Sequence, residues 1–242
     1  GSRRLNALES LVRWRHPERG LIPPGAFLPV AEETGLIVRL GRLIVEGVCT
    51  QLASWGAEGL ALGDLRVSVN VSNREFWHAD FQAHLGAALD AVGGSPEWLN
   101  LEITEGVIMH NPEVALKMLT DLRRKGFHLH VDDFGTGYSS LDALHRFPIE
   151  ALKIDQSFVA RLETDRKSSE LVRTIIMMGH NLDMQVIAEG VENQSQERIL
   201  QDLGCRYGQG YLFARPLPAP AAKEFLRSSH IVGAADRPTT LP

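Results

Sequence analysis

The sequence predicts an α/β fold built on a parallel sheet, and three observations carry that prediction. Strand-like and helix-like segments alternate along the 242 residues. The connections between them are short, as right-handed crossovers between parallel strands require. The polar residues that interrupt the apolar strands gather at strand C-terminal ends: Asn70, Glu102 with Thr104, Asp132 with Asp133, Lys153 with Asp155, and Glu189. A closed (β/α)8 barrel brings all such ends to one face, whereas an open sheet strings them along an edge.

Taken in order, the strand candidates are residues 7–14, 65–71, 99–104, 128–132, 151–154, 184–188 and 206–213. Residues 36–55 carry apolar positions at helical spacing, closed by Trp55-Gly56. Asn111-Pro112-Glu113 starts a helix with a cap, a first-turn proline and an early acid, and Lys125-Gly126 ends it. Residues 168–182 and 193–203 form two more helices, the second stopped by Gly204. Seven strands result, one short of a closed barrel. An open doubly wound sheet needs no closure, but no G-x-G-x-x-G follows the first strand, so a dinucleotide-binding sheet has no local support. No low-complexity linker divides the chain. Residues 1–226 are read as one domain, and the Ser-, Ala-, Pro- and Thr-rich residues 227–242 as a flexible tail.

Composition narrows the function. Hydrophobic residues make up 44% and charged residues 23%, enough for one large core. The formal net charge is −5, with Lys and Arg spread along the chain. That argues against long nucleic acid, which needs a basic stripe, but leaves room for a small phosphate ligand. Cys49 and Cys205 are far apart and read as buried free thiols in a reducing, cytoplasmic setting. No apolar run is long enough to span a membrane, and no signal peptide is visible.

The densest chemistry lies at Val131-Asp132-Asp133-Phe134-Gly135-Thr136-Gly137-Tyr138-Ser139-Ser140. Two carboxylates end a strand and a glycine-punctuated loop follows. Asp and Gly also end strands as ordinary turns. What favours a site is the company these acids keep. Glu9 sits in an apolar segment with Arg13 four positions on, a spacing that puts both on one strand face. Asn70 offers a neutral amide oxygen, Glu102 a third strand-end acid, and Lys153 a cation on a buried strand. Glu189 ends its strand, with Gly190 permitting a tight turn. Several acids at one mouth need cations to offset their repulsion, and oxygen donors suit Mg2+ or Mn2+ better than zinc. Two such ions are a standard arrangement for phosphodiester hydrolysis. His128 and His130 share the face of Asp132, but a residue two back along a strand lies about 7 Å deeper, so they read as core. No G-x-S-x-G occurs and neither cysteine has a neighbouring histidine, so covalent catalysis is poorly supported.

These residues fall in recognisable motifs. Glu9-Ser10-Leu11-Val12-Arg13-Trp14, Phe27-Leu28-Pro29-Val30-Ala31-Glu32, Val69-Asn70-Val71-Ser72 and Leu101-Glu102-Ile103-Thr104-Glu105 are followed by the stretch from Asp132 to Leu141. Then come Leu152-Lys153-Ile154-Asp155-Gln156-Ser157-Phe158-Val159, Ile187-Ala188-Glu189-Gly190-Val191-Glu192 and the run from Gly208 to Pro216. Over residues 5 to 226 the chain resembles the EAL family of cyclic di-GMP phosphodiesterases. The resemblance implies a modified TIM barrel whose usual first strand is missing ahead of Glu9, which accounts for seven strands. It implies hydrolysis of cyclic di-GMP to linear pGpG in bacterial signalling; a catalytically silent receptor for the same nucleotide is the alternative. It assigns Glu9, Asn70, Glu102 and Asp132 to one metal ion, with Asp132, Asp133 and Glu189 around a second. Lys153 and Glu189 are then catalytic, and Arg13, Asp155, Glu192 and Gln209 line the substrate. Gly135, Thr136, Gly137 and Ser139 belong to a mobile loop at a homodimer interface, anchored by Glu105. Sensor or GGDEF domains are expected in the full-length protein. Ser10 replaces the alanine of the signature, a change close in size that leaves Glu9 intact.

Overall fold

A computed structural model describes residues 4–228 except 61, 64 and 138–140. The expected tail lies outside the described residues from position 229 on. The chain divides into two compact units, residues 1–100 with 217–242, and residues 101–216.

In the first unit, β1 (Ala7–Glu9) pairs in parallel with β4 (Arg66–Val71), Glu9 lying opposite Ser68. Between them, β2 (Trp14–His16) and β3 (Gly20–Ile22) form an antiparallel hairpin that the sequence reading did not separate from the first strand. The strand expected over residues 7–14 therefore stops at Glu9. The reason lies in the turn that follows. The His16 Nδ1 accepts from the Glu18 and Arg19 N–H groups at 3.1 and 3.2 Å, and Gly20 takes φ 72°. Trp14 packs edge-on against Phe27 at 5.9 Å, pulling the chain into the hairpin.

The helix Ile37–Ala57 follows a helix Leu28–Thr34 that ends in left-handed Gly35. Its buried positions, Ile37, Gly41, Val45, Cys49, Leu52 and Trp55, recur at helical spacing. Helix Asn73–Phe76 opens with a capping box between Ser72 and Glu75. Leu52, Trp55, Leu65, Val67 and Leu226 form a core, Leu226 arriving on the helix Ala219–Ser228.

The boundary between the units falls within β5 (Leu99–Thr104). The second unit continues with β6 (His128–Phe134), β7 (Ala151–Ile154), β8 (Gln185–Ala188) and β9 (Tyr207–Gly208), hydrogen-bonded in that order, with parallel pairing from β6 onward. The fold is α/β with parallel strands taken in chain order, as the alternation predicted. The helices carry the expected signals: Asn111 Oδ1 accepts from Val114 N at 3.4 Å to cap Pro112–Arg124, and Asp165 caps Arg166–Asn181. The last strand is much shorter than the expected 206–213. Gly210 ends it by approaching Val191 so closely that a Cβ would lie 2.3 Å from the Val191 backbone. β6 runs two residues past the expected Asp132, and it bulges. Val131 lies opposite Leu152 but Phe134 opposite Ile154, so Asp132 and Asp133 occupy the space of one residue. Among the described residues no helix is long and apolar enough to cross a membrane.

Candidate active site

Lys153 is the centre of the site in the second unit. It sits between Leu152 and Ile154 on β7, and its side chain is 1% exposed. A buried ammonium requires anionic partners, and three carboxylates supply them. Nζ donates to Glu102 Oε2 of β5 at 2.7 Å and lies 3.2 Å from Asp132 Oδ1 of β6 and 2.6 Å from Glu189 Oε1 beyond β8. Parallel pairing puts Lys153 opposite Ile187, and Glu189, two positions beyond Ile187 and just past the end of β8, follows on the same face. The Glu189 N–H bonds the Ile154 carbonyl at 3.1 Å, and Gly190 turns the chain away at φ 65°.

The bulge sets the fourth carboxylate. Asp133 adopts φ 52°, a left-handed conformation that costs a non-glycine residue of order 1–3 kcal/mol and persists only when its surroundings enforce it. The Asp133 N–H donates to Asp132 Oδ1 at 3.0 Å, and Thr136 Oγ1 donates to the Asp133 carbonyl at 2.9 Å. Ligand oxygens of Asp132, Asp133 and Glu189 all lie within 4.8 Å of one another. Burial, then the neighbouring Asp132 charge, then Asp155 push the Asp133 carboxyl up to about 6. Burial also raises Asp132, although Lys153 pulls the other way.

One ammonium thus faces four carboxylates. That deficit of positive charge, with donors that are all oxygen, fits hard divalent cations such as Mg2+ or Mn2+. His130 approaches the group as well, its Nδ1 3.9 Å from Glu102 Oε1 and its side chain 7% exposed. It is therefore nearer the acids than core packing alone implied. His128 turns instead to Glu150, with Nδ1 and Oε2 2.7 Å apart.

Glu105, buried in the first turn after β5, accepts from the Gly135 N–H at 3.2 Å, and a Cβ on Gly137 would meet its Oε1 at 2.9 Å. The expected anchor and the loop glycines are thus in contact; Ser139 lies outside the described residues. Asp155 caps the helix Gln156–Val159 by accepting from Ser157 N at 3.0 Å and also adds to the upward push on Asp133, a link the sequence reading missed because it joins two strand exits. The Gln209 N–H bonds the Ala188 carbonyl at 2.8 Å, which holds that residue beside the exit of β8. Glu192 is exposed, and its N–H bonds Gln196 Oε1 at 2.8 Å.

In the first unit, Asn70 Nδ2 donates to Glu9 Oε1 at 2.8 Å, so the two expected ligands from that unit touch each other. The amide nitrogen is used, which leaves the ligand oxygen unspent. The predicted strand relation of Glu9 and Arg13 does not hold, because the strand ends at Glu9. Arg13 Nη1 donates to the adjacent Val12 carbonyl at 2.8 Å.

A family model described as the EAL domain matches residues 1–216. The cyclic di-GMP phosphodiesterase PdeR of Escherichia coli strain K12 is 42% identical over 223 residues, covering 92% of this chain and 33% of PdeR. The signaling protein YkoW of Bacillus subtilis strain 168 is 41% identical over 223 residues, covering 92% of this chain and 28% of YkoW. The chain therefore spans about a third or less of these curated relatives. A solved structure described as the PaMucR phosphodiesterase in complex with c-di-GMP superposes with a TM-score of 0.86 at 40% identity, covering 90% of this chain and 87% of that one.

Proposed function

This chain belongs to the EAL domain family, and on that premise we propose that it hydrolyses one phosphodiester bond of cyclic di-GMP to give linear pGpG. The observation that carries the reading is the buried Lys153 ammonium ringed by Glu102, Asp132 and Glu189, with Asp133 alongside. The relative PdeR, itself called a cyclic di-GMP phosphodiesterase, supports the substrate.

The proposal gives Asp132, Asp133, Glu189 and Glu102 the task of holding Mg2+ or Mn2+, two ions in the full arrangement. Glu9 and Asn70 enter the ligand set on the resemblance. When bound, such ions neutralise phosphate oxygens and lower the pKa of water. The chain's own residues do the rest. Glu189 accepts a proton from the attacking water, whose oxygen bonds phosphorus as the P–O3′ bond breaks. The departing O3′ takes up a proton and leaves as a hydroxyl, which makes the product a linear 5′-phosphate. Lys153, 2.6 Å from Glu189, fixes that carboxylate in place. Arg13 pairs with a substrate phosphate, and Gln209, Asp155 and Glu192 line the nucleotide. Glu105 steadies the loop that follows Asp133, and homodimer contacts at that loop belong to the proposal. The greater length of PdeR and YkoW supports further domains beside this one, which the proposal takes to be sensor or GGDEF domains, and the proposal puts this domain in the cytoplasm.

The test is product identity. Incubation with cyclic di-GMP and Mn2+ gives pGpG by chromatography, and Glu189→Gln lowers the rate by roughly 10²–10⁴-fold while the nucleotide still binds. An unchanged rate in that variant removes Glu189 from the mechanism.

A further inference from the structure

The acidic total of the chain conceals one strongly basic cleft, in the first unit. The helix Ile37–Ala57 carries Arg39 and Arg42 three positions apart, hence on one face. Arg74 lies on the helix Asn73–Phe76. Gly41 is what lets these helices meet: a Cβ there would lie 1.4 Å from Glu75 Oε1, so only glycine admits the Glu75 side chain. Ser72 fixes that side chain, its Oγ donating to Glu75 Oε2 at 2.6 Å. Arg74, next to Glu75 in sequence, is thereby held across from Arg39 and Arg42 on an open cleft of about 570 Å³ that Trp77 also lines.

Three guanidiniums around one concavity repel one another unless anions answer them. The protein answers weakly. Asp80 Oδ2 lies 3.9 Å from Arg42 Nη2, with its own side chain 72% exposed. Among the described residues, Arg39 and Arg74 have no ion-pair or hydrogen-bond partner. Glu75, next to Arg74 in sequence, is 7% exposed, and burial favours its neutral form. The guanidinium fork matches phosphate oxygens in pairs, and the cleft has the volume of a small-ligand site rather than of a polymer track. We propose that this cleft binds a small anion bearing at least two phosphoryl groups, either a nucleoside polyphosphate or inorganic diphosphate. Trp77 gives a nucleoside a ring on which to stack.

Calorimetric titration of the whole chain with GTP and, separately, with pyrophosphate tests this at about 0.15 M salt, where long-range attraction is screened. Chelator is present, so divalent ions cannot recruit either anion to the acidic site. The readout is binding without hydrolysis, and it stands or falls independently of the phosphodiesterase reading. Saturable binding is expected, with Arg39→Gln and Arg74→Gln each weakening it roughly tenfold and the double variant about a hundredfold. Tighter binding of GTP identifies a nucleotide as the ligand; equal binding identifies the diphosphate group alone. Absence of saturable binding of both anions, or unchanged affinity in the double variant, overturns the proposal.

Discussion

Asp133 joins the backbone and the electrostatics of the site. The bulge forces its left-handed φ and delivers its carboxyl beside Asp132 and Glu189, where the proton is held up to about pH 6. The sign of the resulting pH dependence follows directly. A folded pKa above the ordinary 3.8 means that the neutral form is the stabilised one, fully so below that value, and that stability is lost as pH rises through about 6. A divalent cation needs the carboxylate, so its binding expels this proton. Mn2+ affinity measured by calorimetry is expected to rise from pH 5 to pH 7 and then level off, with proton release at the lower pH. Equal affinity across that range would remove Asp133 as a ligand. Lys153 carries the complementary prediction. Lys153→Met strands Glu102, whose side chain is 1% exposed, as an uncompensated charge. Breaking such a pair costs about 3–5 kcal/mol in denaturant unfolding, and adding Glu102→Gln should recover much of it. Strict additivity of the two changes would mean that the pair does not interact. The acids and the lysine were legible because charged residues punctuate apolar strands. The bulge was not, since it depends on the register with β7, and no local pattern within Val131-Asp132-Asp133 encodes that.

Among elements, the turn after β6 is the most exposed to small errors. Glu105 opens the helix Glu105–His110 and grips Gly135, while a Cβ on Gly137 would come within 2.9 Å of Glu105 Oε1 and make that carboxylate shift. The residue conveying this to the acids is Asp133, two positions before Gly135. Gly137→Val should therefore push Glu105 and the loop aside and misplace Asp133. Misplacement near one ångström costs roughly 10²-fold, so kcat is expected to drop while the melting temperature stays close to that of the parent. Full activity in Gly137→Val would uncouple loop and site. Strands β5 and β7 match their sequence-predicted limits to the residue: β5 alternates Leu99, Leu101 and Ile103 with Asn100, Glu102 and Thr104 at the strand period, and β7 is a short apolar run broken by Lys153 alone. The two ends of the sheet were read too long. β1 gives way to a hairpin set by His16 and Gly20, and β9 is cut short by the approach of Gly210 to Val191. The first limit comes from a turn and the second from a contact between segments, and periodicity reports neither.

At the scale of the whole molecule, the parallel α/β fold agrees with the solved phosphodiesterase at a TM-score of 0.86, and each unit supplies part of the expected machinery. The first unit closes its core with a helix that the sequence reading did not assign. Leu226, 1% exposed, packs with Leu52, Trp55, Leu65 and Val67. Leu226→Ala is expected to cost about 2–5 kcal/mol by denaturant unfolding, whereas a helix merely resting on the surface would cost little. The family was legible because its motifs lie in strand-end residues that stand in fixed order along the chain. The central claim is that these carboxylates act through divalent cations. Following cyclic di-GMP by chromatography, first in excess chelator and then after adding back Mg2+ or Mn2+, tests it most directly. The account predicts no turnover in chelator and pGpG on restoring either ion; full turnover in chelator, or intact cyclic di-GMP with both ions restored, would contradict it.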